Sequence, residues 1–184
     1  MKVKINARLA FPTLFEPKAV GGEGEPRFSA AFAIEPGSES SKALASAVPE
    51  VAKSKWGAKA DGILAELKKK GRVCYKDSPL TNSEGEVYDG FEGMHCLNAS
   101  AKARPTVIER DRTPLVAADG RPYAGCYVNA IVELWAQDNQ YGRRVNATLS
   151  GVQFDRDGDA FGSAPPASAD DFDDLSGGAG DDLI

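Results

Sequence analysis

The chain has 184 residues, 42% of them hydrophobic, and a formal net charge of −5. This length allows one domain with a substantial core and favours one domain over two. No apolar run approaches the roughly 20 residues that a membrane helix needs, and no basic start precedes an apolar segment. The sequence therefore predicts a soluble, intracellular protein that does not engage a membrane.

Charge is distributed unevenly along the chain. Residues 163–184 contain six Asp and no Lys or Arg, which leaves 22 basic against 21 acidic residues in the remainder. A mildly basic body thus carries a strongly acidic tail. The tail consists largely of Asp, Gly, Ala, Ser and Pro, a composition typical of disorder. We expect one domain over residues 1–162 and a disordered acidic tail over residues 163–184.

Cysteine and histidine usage argues against a metal centre. Cys74, Cys96 and Cys126 are widely spaced in apolar contexts, which favours reduced core thiols, and His95 is the single histidine. No close-set ligand pairs suggest a zinc site, and we expect no cofactor. The carboxylates are scattered and His95 has no nucleophile in a recognisable pattern, so we expect no enzyme. A metal-dependent nuclease remains a rival that DNA incubated with Mg²⁺ or Mn²⁺ would test.

The N-terminal region predicts two paired strands. Residues 2–15 alternate between apolar and polar side chains, and residues 27–34 alternate again. Lys2, Lys4 and Arg8 fall on the open face of the first strand, where they either contact phosphates or protect a sheet edge from aggregation. The apolar positions of the first strand are Val3, Ile5, Ala7, Leu9 and Phe11.

A helical period replaces the alternation over residues 38–70. Ser38 or Ser40 is suited to cap a first helix, and Pro49 is suited to begin a second one. Gly57 weakens or breaks that second helix. The lysines of this segment form either a DNA-facing patch or an ordinary solvated helix face.

Short strands are predicted again after the helical segment. They cover residues 73–76, 91–104 and 106–108, with polar loops between them. Strands before and after a helical insert indicate a mainly β fold, an open or closed antiparallel barrel.

Residues 123–154 give the clearest hairpin pattern, two long strands joined by a polar turn at 137–142. One face of the first strand carries Ala124, Cys126, Val128, Ala130, Val132 and Leu134. The other face carries Tyr123, Tyr127, Asn129, Ile131, Glu133 and Trp135. Aromatic and cationic side chains on an open sheet face suit single-stranded nucleic acid, because bases stack on rings while cations neutralise phosphates. The alternative is that the helical insert covers this face.

Six stretches, at residues 8–19, 26–34, 91–105, 123–129, 141–154 and 157–162, carry a family resemblance in their order and spacing. Over nearly the whole body, the chain resembles bacteriophage single-stranded DNA-binding proteins with an OB-fold core and an acidic C-terminal tail. The resemblance implies an OB-fold-like antiparallel barrel that binds ssDNA without sequence specificity and has no catalytic activity. It also implies a tail that recruits replication or recombination proteins in the host cell cytoplasm.

Two sets of binding residues are predicted on this basis. The ssDNA-binding set is Lys2, Lys4, Arg8, Tyr88, Phe91, Lys102, Arg104, Tyr127, Trp135, Arg143 and Arg144. The partner-binding set in the tail is Asp170, Asp171, Phe172, Asp173, Asp174, Asp181 and Asp182. Oligomeric state stays open, with a homodimer as one option. The rival function is a protein-interaction or virion structural module without DNA affinity, whose sheet binds a protein strand.

Overall fold

Seven strands and two helices make up the fold of the computed structural model, which describes residues 1–19, 24–161 and 169–175. In chain order they are β1 (Lys2–Lys18), β2 (Arg27–Ile34), α1 (Glu39–Trp56), α2 (Ala60–Lys69), β3 (Tyr75–Lys76), β4 (His95–Ala101), β5 (Thr106–Ile108), β6 (Tyr127–Asn139) and β7 (Gly142–Arg156). A turn of 3-10 helix, Gly57–Lys59, joins the two helices.

Five of the strands close into a barrel in the order β4-β2-β1-β6-β7. The pairings within this order are antiparallel, and the closing contact between β4 and β7 is parallel, with Ser100 opposite Thr148. The short strand β3 extends the sheet beside β4, and β5 pairs with the C-terminal half of β7. The predicted fold, mainly β with an OB-like barrel and a helical insert, is confirmed.

Hairpin alternation places the predicted apolar face inside the barrel. Val128, Val132 and Leu134 of β6 are fully buried, and Trp135 on the opposite face is 44% exposed. Both strands are longer at the turn than the sequence predicts, because only Gln140 and Tyr141 separate β6 from β7, whereas the predicted turn covers residues 137–142. The pattern of side chains was therefore a good guide to the two faces of this hairpin.

The first strand departs from simple alternation at Phe11. A β-bulge between Ala10 and Thr13 interrupts the pairing with β2, and Phe11 lies at φ +46°. As a result Leu9 and Ala10 are both buried, and the Phe11 ring, predicted to face inward, is 53% exposed. An extra residue in one strand shifts every following side chain to the other face, which is why the period-2 prediction is wrong here.

The first helix is longer than the sequence predicts. Ser38 caps α1 by accepting a hydrogen bond from the Ser41 backbone N–H, and Pro49 lies inside the helix instead of starting a new one. Leu44, Val48 and neighbouring residues present one continuous buried face to the barrel core, and this packing offsets the backbone hydrogen bond that Pro49 removes. The helix ends at Gly57, at φ +57°, as the sequence suggests. Neither described helix is long and apolar enough to cross a membrane.

Two predicted strands, the one at residues 91–104 and the first strand of the hairpin at residues 123–154, begin with turns in the structure. Residues 91–94 form a turn in which the Met94 N–H donates to the Phe91 carbonyl, so β4 begins at His95. Residues 123–126 also turn, with Gly125 at φ +107°, and β6 begins at Tyr127.

Ser40 fixes the helical insert to the barrel. Its buried hydroxyl accepts a hydrogen bond from the Asn6 N–H (2.8 Å) and donates to the Asn6 carbonyl (3.0 Å). These groups belong to the half of β1 that precedes its pairing with β2, so the hydroxyl replaces a missing strand partner. The insert leaves the outer face of β6 open at Trp135, so the alternative in which it covers that face does not hold.

We predict that Ser40→Ala lowers the free energy of unfolding by about 1–3 kcal/mol, because two backbone groups of Asn6 lose their partner. Urea denaturation followed by far-UV circular dichroism measures the change. Ser46→Ala, an exposed position on the same helix, is the matched control and should leave stability unchanged or slightly raised. Equal effects of the two substitutions would contradict this role for Ser40.

Candidate functional site

A groove of about 360 Å³ runs across the outer surface of β2, β4 and β7. Its floor carries outward-facing polar side chains of these three strands, namely Ser29, Asn98, Ser100 and Asn146. Ser29 lies opposite Ser100 in the β2–β4 pairing, and Ser100 lies opposite Thr148 where the barrel closes. The floor is therefore one continuous strip of small neutral polar groups. We call it the β2–β4–β7 groove.

Three cations line this groove: Arg72, Lys76 and Arg144. None of them takes part in a salt bridge with a carboxylate of the described residues. Arg72 lies against the hairpin turn, where a Cβ on Gly142 would come within 2.8 Å of its guanidinium. Three cations without carboxylate partners among the described residues, set around a polar floor, are suited to hold an anion, and the phosphate backbone of a nucleic acid is one such ligand.

The groove lies where barrels of this topology bind their ligands. In an OB-fold, oligonucleotides bind the face of the second and third barrel strands and the loops between strands one and two and between strands four and five. Here those strands are β2 and β4, and the second loop is the β6–β7 turn beside Arg72 and Arg144. Of the first loop, residues 20–23 lie outside the described residues.

Arg143 and Arg144, predicted together, lie on opposite faces of β7. Arg144 lines the groove, whereas the Arg143 Nε donates to Asp138 Oδ2 at 3.3 Å. The same carboxylate accepts a hydrogen bond from the Trp56 indole, which, with Arg143, holds the pKa of Asp138 below its usual value. Arg143 thus stabilises the hairpin tip, while Arg144 is available to a ligand.

Arg8 and Tyr127, also in the predicted set, are engaged in structural contacts. The Arg8 guanidinium donates to the carbonyls of Gly125 (2.8 Å) and Asp159 (2.7 Å). The Tyr127 ring has the guanidinium of Arg156 4.1 Å from its centroid and that of Arg8 at 5.7 Å. Such cation–π contacts occupy the ring faces that a base would need. The structure therefore does not favour a direct role for either residue in DNA binding.

Tyr88 and Phe91 differ in their exposure although they are neighbours in sequence. Tyr88 is 36% exposed and meets Phe11 edge to face at 4.9 Å between ring centroids. Phe91 is fully buried in a small cluster with Ala31, Ala33 and Cys96. The Phe91 ring therefore packs on the outer face of β2 and β4 and is not part of the exposed surface, and its contact with DNA stays a prediction.

Lys2, Lys4 and Trp135 lie together on the outer face of β1 and β6, which we call the hairpin face. Lys2 lies opposite Glu133, and the Trp135 indole donates to Thr148 Oγ1 at 3.1 Å. Trp135 is also the register partner of Asn146, which lines the groove. The hairpin face thus continues the groove around the barrel.

Lys102 and Arg104 follow the end of β4, away from the hairpin turn. Lys102 Nζ lies 3.1 Å from Glu25 Oε2, and Arg104 lies over the Phe15 ring at 5.5 Å. The Lys102 pair is exposed, where such ion pairs are weak and exchange readily with solvent and other anions. Neither residue lines the groove, and a DNA contact of either one stays a prediction.

Part of the acidic tail is described. Residues 169–175 include a 3-10 turn at Ala169–Asp171, and Asp170, Phe172, Asp173 and Asp174 are exposed, with the Phe172 side chain 70% exposed. Asp171 is described only through its backbone, and Asp181 and Asp182 lie outside the described residues. The tail joins the barrel domain at Phe161, whose N–H donates to the Ala124 carbonyl.

Several groove residues were missed by the sequence analysis, namely Arg72, Lys76, Phe11, Asn98, Ser100 and Asn146. Arg72 and Lys76 flank the short segment at residues 73–75, and a basic residue at each end of a predicted strand was the available signal. Pro12, directly after Phe11, was a signal for the bulge, because proline within a strand marks an edge or a bulge. Nothing local singled out the small polar residues of β4.

Among the described residues, no group of three or more His, Cys, Asp or Glu is arranged to hold a metal ion. His95 Nδ1 instead forms a hydrogen bond with the Tyr75 hydroxyl at 2.7 Å. The same Tyr75 hydroxyl also forms a hydrogen bond with the Ser41 hydroxyl.

The barrel topology and the groove define an OB-fold protein of the kind that binds oligonucleotides. A family model described as Enterobacter phage Enc34, ssDNA-binding protein, matches residues 1–184. The chain belongs to this family of phage ssDNA-binding proteins. It is 44% identical over 189 residues to protein p50 of Acyrthosiphon pisum secondary endosymbiont phage 1, covering 100% of this chain and 99% of the relative.

Solved structures of the ssDNA-binding protein from bacteriophage Enc34 share the fold. A C-terminal truncation of that protein gives a TM-score of 0.64 at 25% identity, covering 87% of this chain and 88% of the other. The Enc34 protein in complex with ssDNA gives 0.61 at 26% identity, covering 88% and 89%.

We predict that the three thiols react slowly in the native protein. Burial raises the pKa of Cys74 to about 12 and the pKa values of Cys96 and Cys126 to about 11. The reactive thiolate is therefore scarce at neutral pH, and reaction with Ellman's reagent at about pH 8 should be at least about 100-fold slower than in the urea-unfolded chain. Rapid reaction of a thiol in the native protein would contradict the burial of these cysteines.

Proposed function

We propose that this protein binds single-stranded DNA without sequence preference through the β2–β4–β7 groove, and that it is not an enzyme. The observation that carries the proposal is the set of groove cations, Arg72, Lys76 and Arg144, that have no carboxylate partner among the described residues. The complex of the related Enc34 protein with ssDNA supports the same ligand.

The chemistry of the groove suits binding that ignores sequence. Cations that neutralise phosphates release counterions, and this gain is the same for every base. The small hydroxyl and amide groups of the floor, Ser29, Asn98, Ser100 and Asn146, exclude no base by size. Three phosphates neutralised by the groove cations alone contribute about −2 to the slope of log K against log salt concentration for a single strand. The hairpin face, with Lys2, Lys4 and Trp135, extends this path around the barrel.

The same chemistry supports a role in phage DNA metabolism. A protein that covers exposed single strands would protect them during replication or recombination in the host cell cytoplasm. The tail, with six Asp and no Lys or Arg over residues 163–184, suits basic surfaces of partner proteins and also the basic groove itself. Phe172, 70% exposed, provides an aromatic anchor for such a partner. A homodimer is compatible with this role.

We predict that Arg72→Gln, Lys76→Gln and Arg144→Gln each weaken ssDNA binding for all sequences alike, because each removes one phosphate contact. Each substitution should reduce the magnitude of the salt slope by about 0.7. Fluorescence anisotropy of a labelled mixed-sequence oligonucleotide, single-stranded and duplex, over a range of salt concentrations measures both effects.

Lys42→Gln on the exposed side of α1 is the charge-matched control and should bind as the unmodified protein does. A second comparison uses Lys2→Gln with Lys4→Gln. If that pair changes the slope while the groove substitutions do not, the hairpin face is the DNA site and the groove assignment is wrong. If the unmodified protein binds no single strands at low salt, the protein-interaction module becomes the better description.

Truncation after Gly162 is predicted to strengthen ssDNA binding at low salt, because it removes six carboxylates tethered beside the groove at Phe161. The gain should shrink as salt rises, since screening weakens attraction between tail and groove. A full-length variant with all six tail Asp changed to Asn is the matched control and should behave as the truncation does. Unchanged affinity in both variants would show that the tail does not compete for the groove, leaving partner binding as its role.

A further inference from the structure

A second cavity, of about 350 Å³, opens beside the β2–β4–β7 groove. Four aromatic side chains line it, Phe11, Tyr88, Phe91 and Phe161, with Ala10 and Ala124 between them. Its volume lies within the range of roughly 300–1,000 Å³ that is usual for small-molecule sites. We call it the aromatic cavity, and its apolar walls contrast with the polar floor of the groove.

The aromatic cavity and the groove share Phe11, which lines both. A strand that follows the groove therefore passes the mouth of the cavity. Leu80, which lines the groove, also packs on the cluster that contains Phe91 and Phe161. The two spaces thus form one surface, with a cationic polar part and an adjacent aromatic part.

The position of Phe11 is costly, and the fold maintains it. A bulky residue at φ +46° is a backbone outlier, and such outliers concentrate at ligand sites. The bulge that creates this conformation moves the ring out of the barrel, to 53% exposure, and sets it edge to face with Tyr88. Neither burial nor strand pairing explains why a phenylalanine should be displayed in this way.

Phe161 forms another wall of the cavity, and its ring is held in place by its neighbours. The Arg8 guanidinium lies 4.3 Å from the centroid of this ring and also donates to the Asp159 carbonyl two residues earlier. Phe161 packs so closely against Gly90, at φ +83°, that a Cβ there would overlap the ring. A wall fixed before the ligand arrives loses little entropy on binding.

We propose that the aromatic cavity holds one unstacked nucleobase of the bound strand. Every base has a π-face that stacks on aromatic rings, so the site adds affinity without reading sequence. Among the described residues, Asp89 is the one charged side chain that lines the cavity, and it repels phosphate, which keeps the backbone on the cationic groove while the neutral base enters. This subsite rests on the proposed ssDNA-binding function.

The test compares an oligothymidylate with an abasic oligonucleotide of the same length and phosphate count. Anisotropy titrations measure both affinities for the unmodified protein and for Phe11→Ala, Tyr88→Ala and Tyr88→Phe. Loss of stacking on one base predicts about 5- to 150-fold weaker binding of oligothymidylate by the two alanine variants. Binding of the abasic strand by Tyr88→Ala should change little, because Tyr88 lines the cavity and not the groove. Tyr88→Phe, which keeps the ring, should retain the original preference. Phe11 and Tyr88 are exposed, so the variants should fold, which circular dichroism verifies.

The outcomes separate this subsite from the proposed function. If the alanine variants keep the original ratio of the two affinities while the unmodified protein binds ssDNA, the subsite is wrong and the groove assignment stands. If the unmodified protein binds neither strand at low salt, the proposed function fails as well. If the alanine variants bind more tightly, and truncation after Gly162 abolishes that gain, the tail occupies the cavity and the base does not.

Discussion

Closure of the barrel along β7 is the contact on which the other features depend. Three segments share the outer edge of this strand. The segment before β3 exchanges backbone hydrogen bonds with Val145, β4 pairs at Thr148, and β5 pairs over Gly151–Gln153. Because a closed sheet leaves no free edge, each segment satisfies backbone groups that would otherwise be exposed or buried without partners. The same arrangement brings Arg72 and Arg144, far apart in sequence, next to each other along the groove.

The outer face of β2 and β4 is divided between support and binding. Over one part, Ala31, Ala33 and Cys96 are buried in a cluster with Phe91, against which Leu80, Met94 and Phe161 pack. Over the other part, Ser29, Asn98 and Ser100 remain open as the groove floor. Small residues allow the loop to lie close to the sheet, and hydroxyl and amide groups remain where nothing covers them. The boundary between the two parts is where Phe11 and Tyr88 are exposed.

The cations of this protein serve two different purposes. Arg8, Arg121 and Arg156 lie over aromatic rings, and Arg143 pairs with Asp138, so these guanidinium groups stabilise the fold. Arginine suits this role because its planar group stacks on a ring while its N–H groups donate hydrogen bonds. Arg72, Lys76 and Arg144 in the groove and Lys2 and Lys4 on the hairpin face have no such partner among the described residues, as is also true of several exposed lysines of α1 and α2. Residues 1–162 have a net charge of only +1. They can still present a locally basic path, because the groove cations have no acidic partners within the described residues.

The sequence by itself determined the strand and helix pattern, the two faces of the β6–β7 hairpin, the family and the acidic tail. The pattern, the two faces and the tail depend on local periodicity and composition, which a single chain displays directly, and the family depends on the order and spacing of six stretches. It also pointed to Arg144 and Tyr88, because alternation and loop context exposed them. The tertiary structure alone decided which cations are free and which aromatics are displayed. The sequence predicts that Arg8 and Tyr127 are available to DNA, but in the structure Arg8 donates to the Asp159 carbonyl and Arg156 lies over the Tyr127 ring. The sequence also predicts that Phe11 faces inward, but a bulge turns this side chain outward. Barrel closure is a long-range effect that brings together residues between Phe11 and Ala147 in one groove, and the local signals at Pro12, Arg72 and Lys76 do not show that these segments meet.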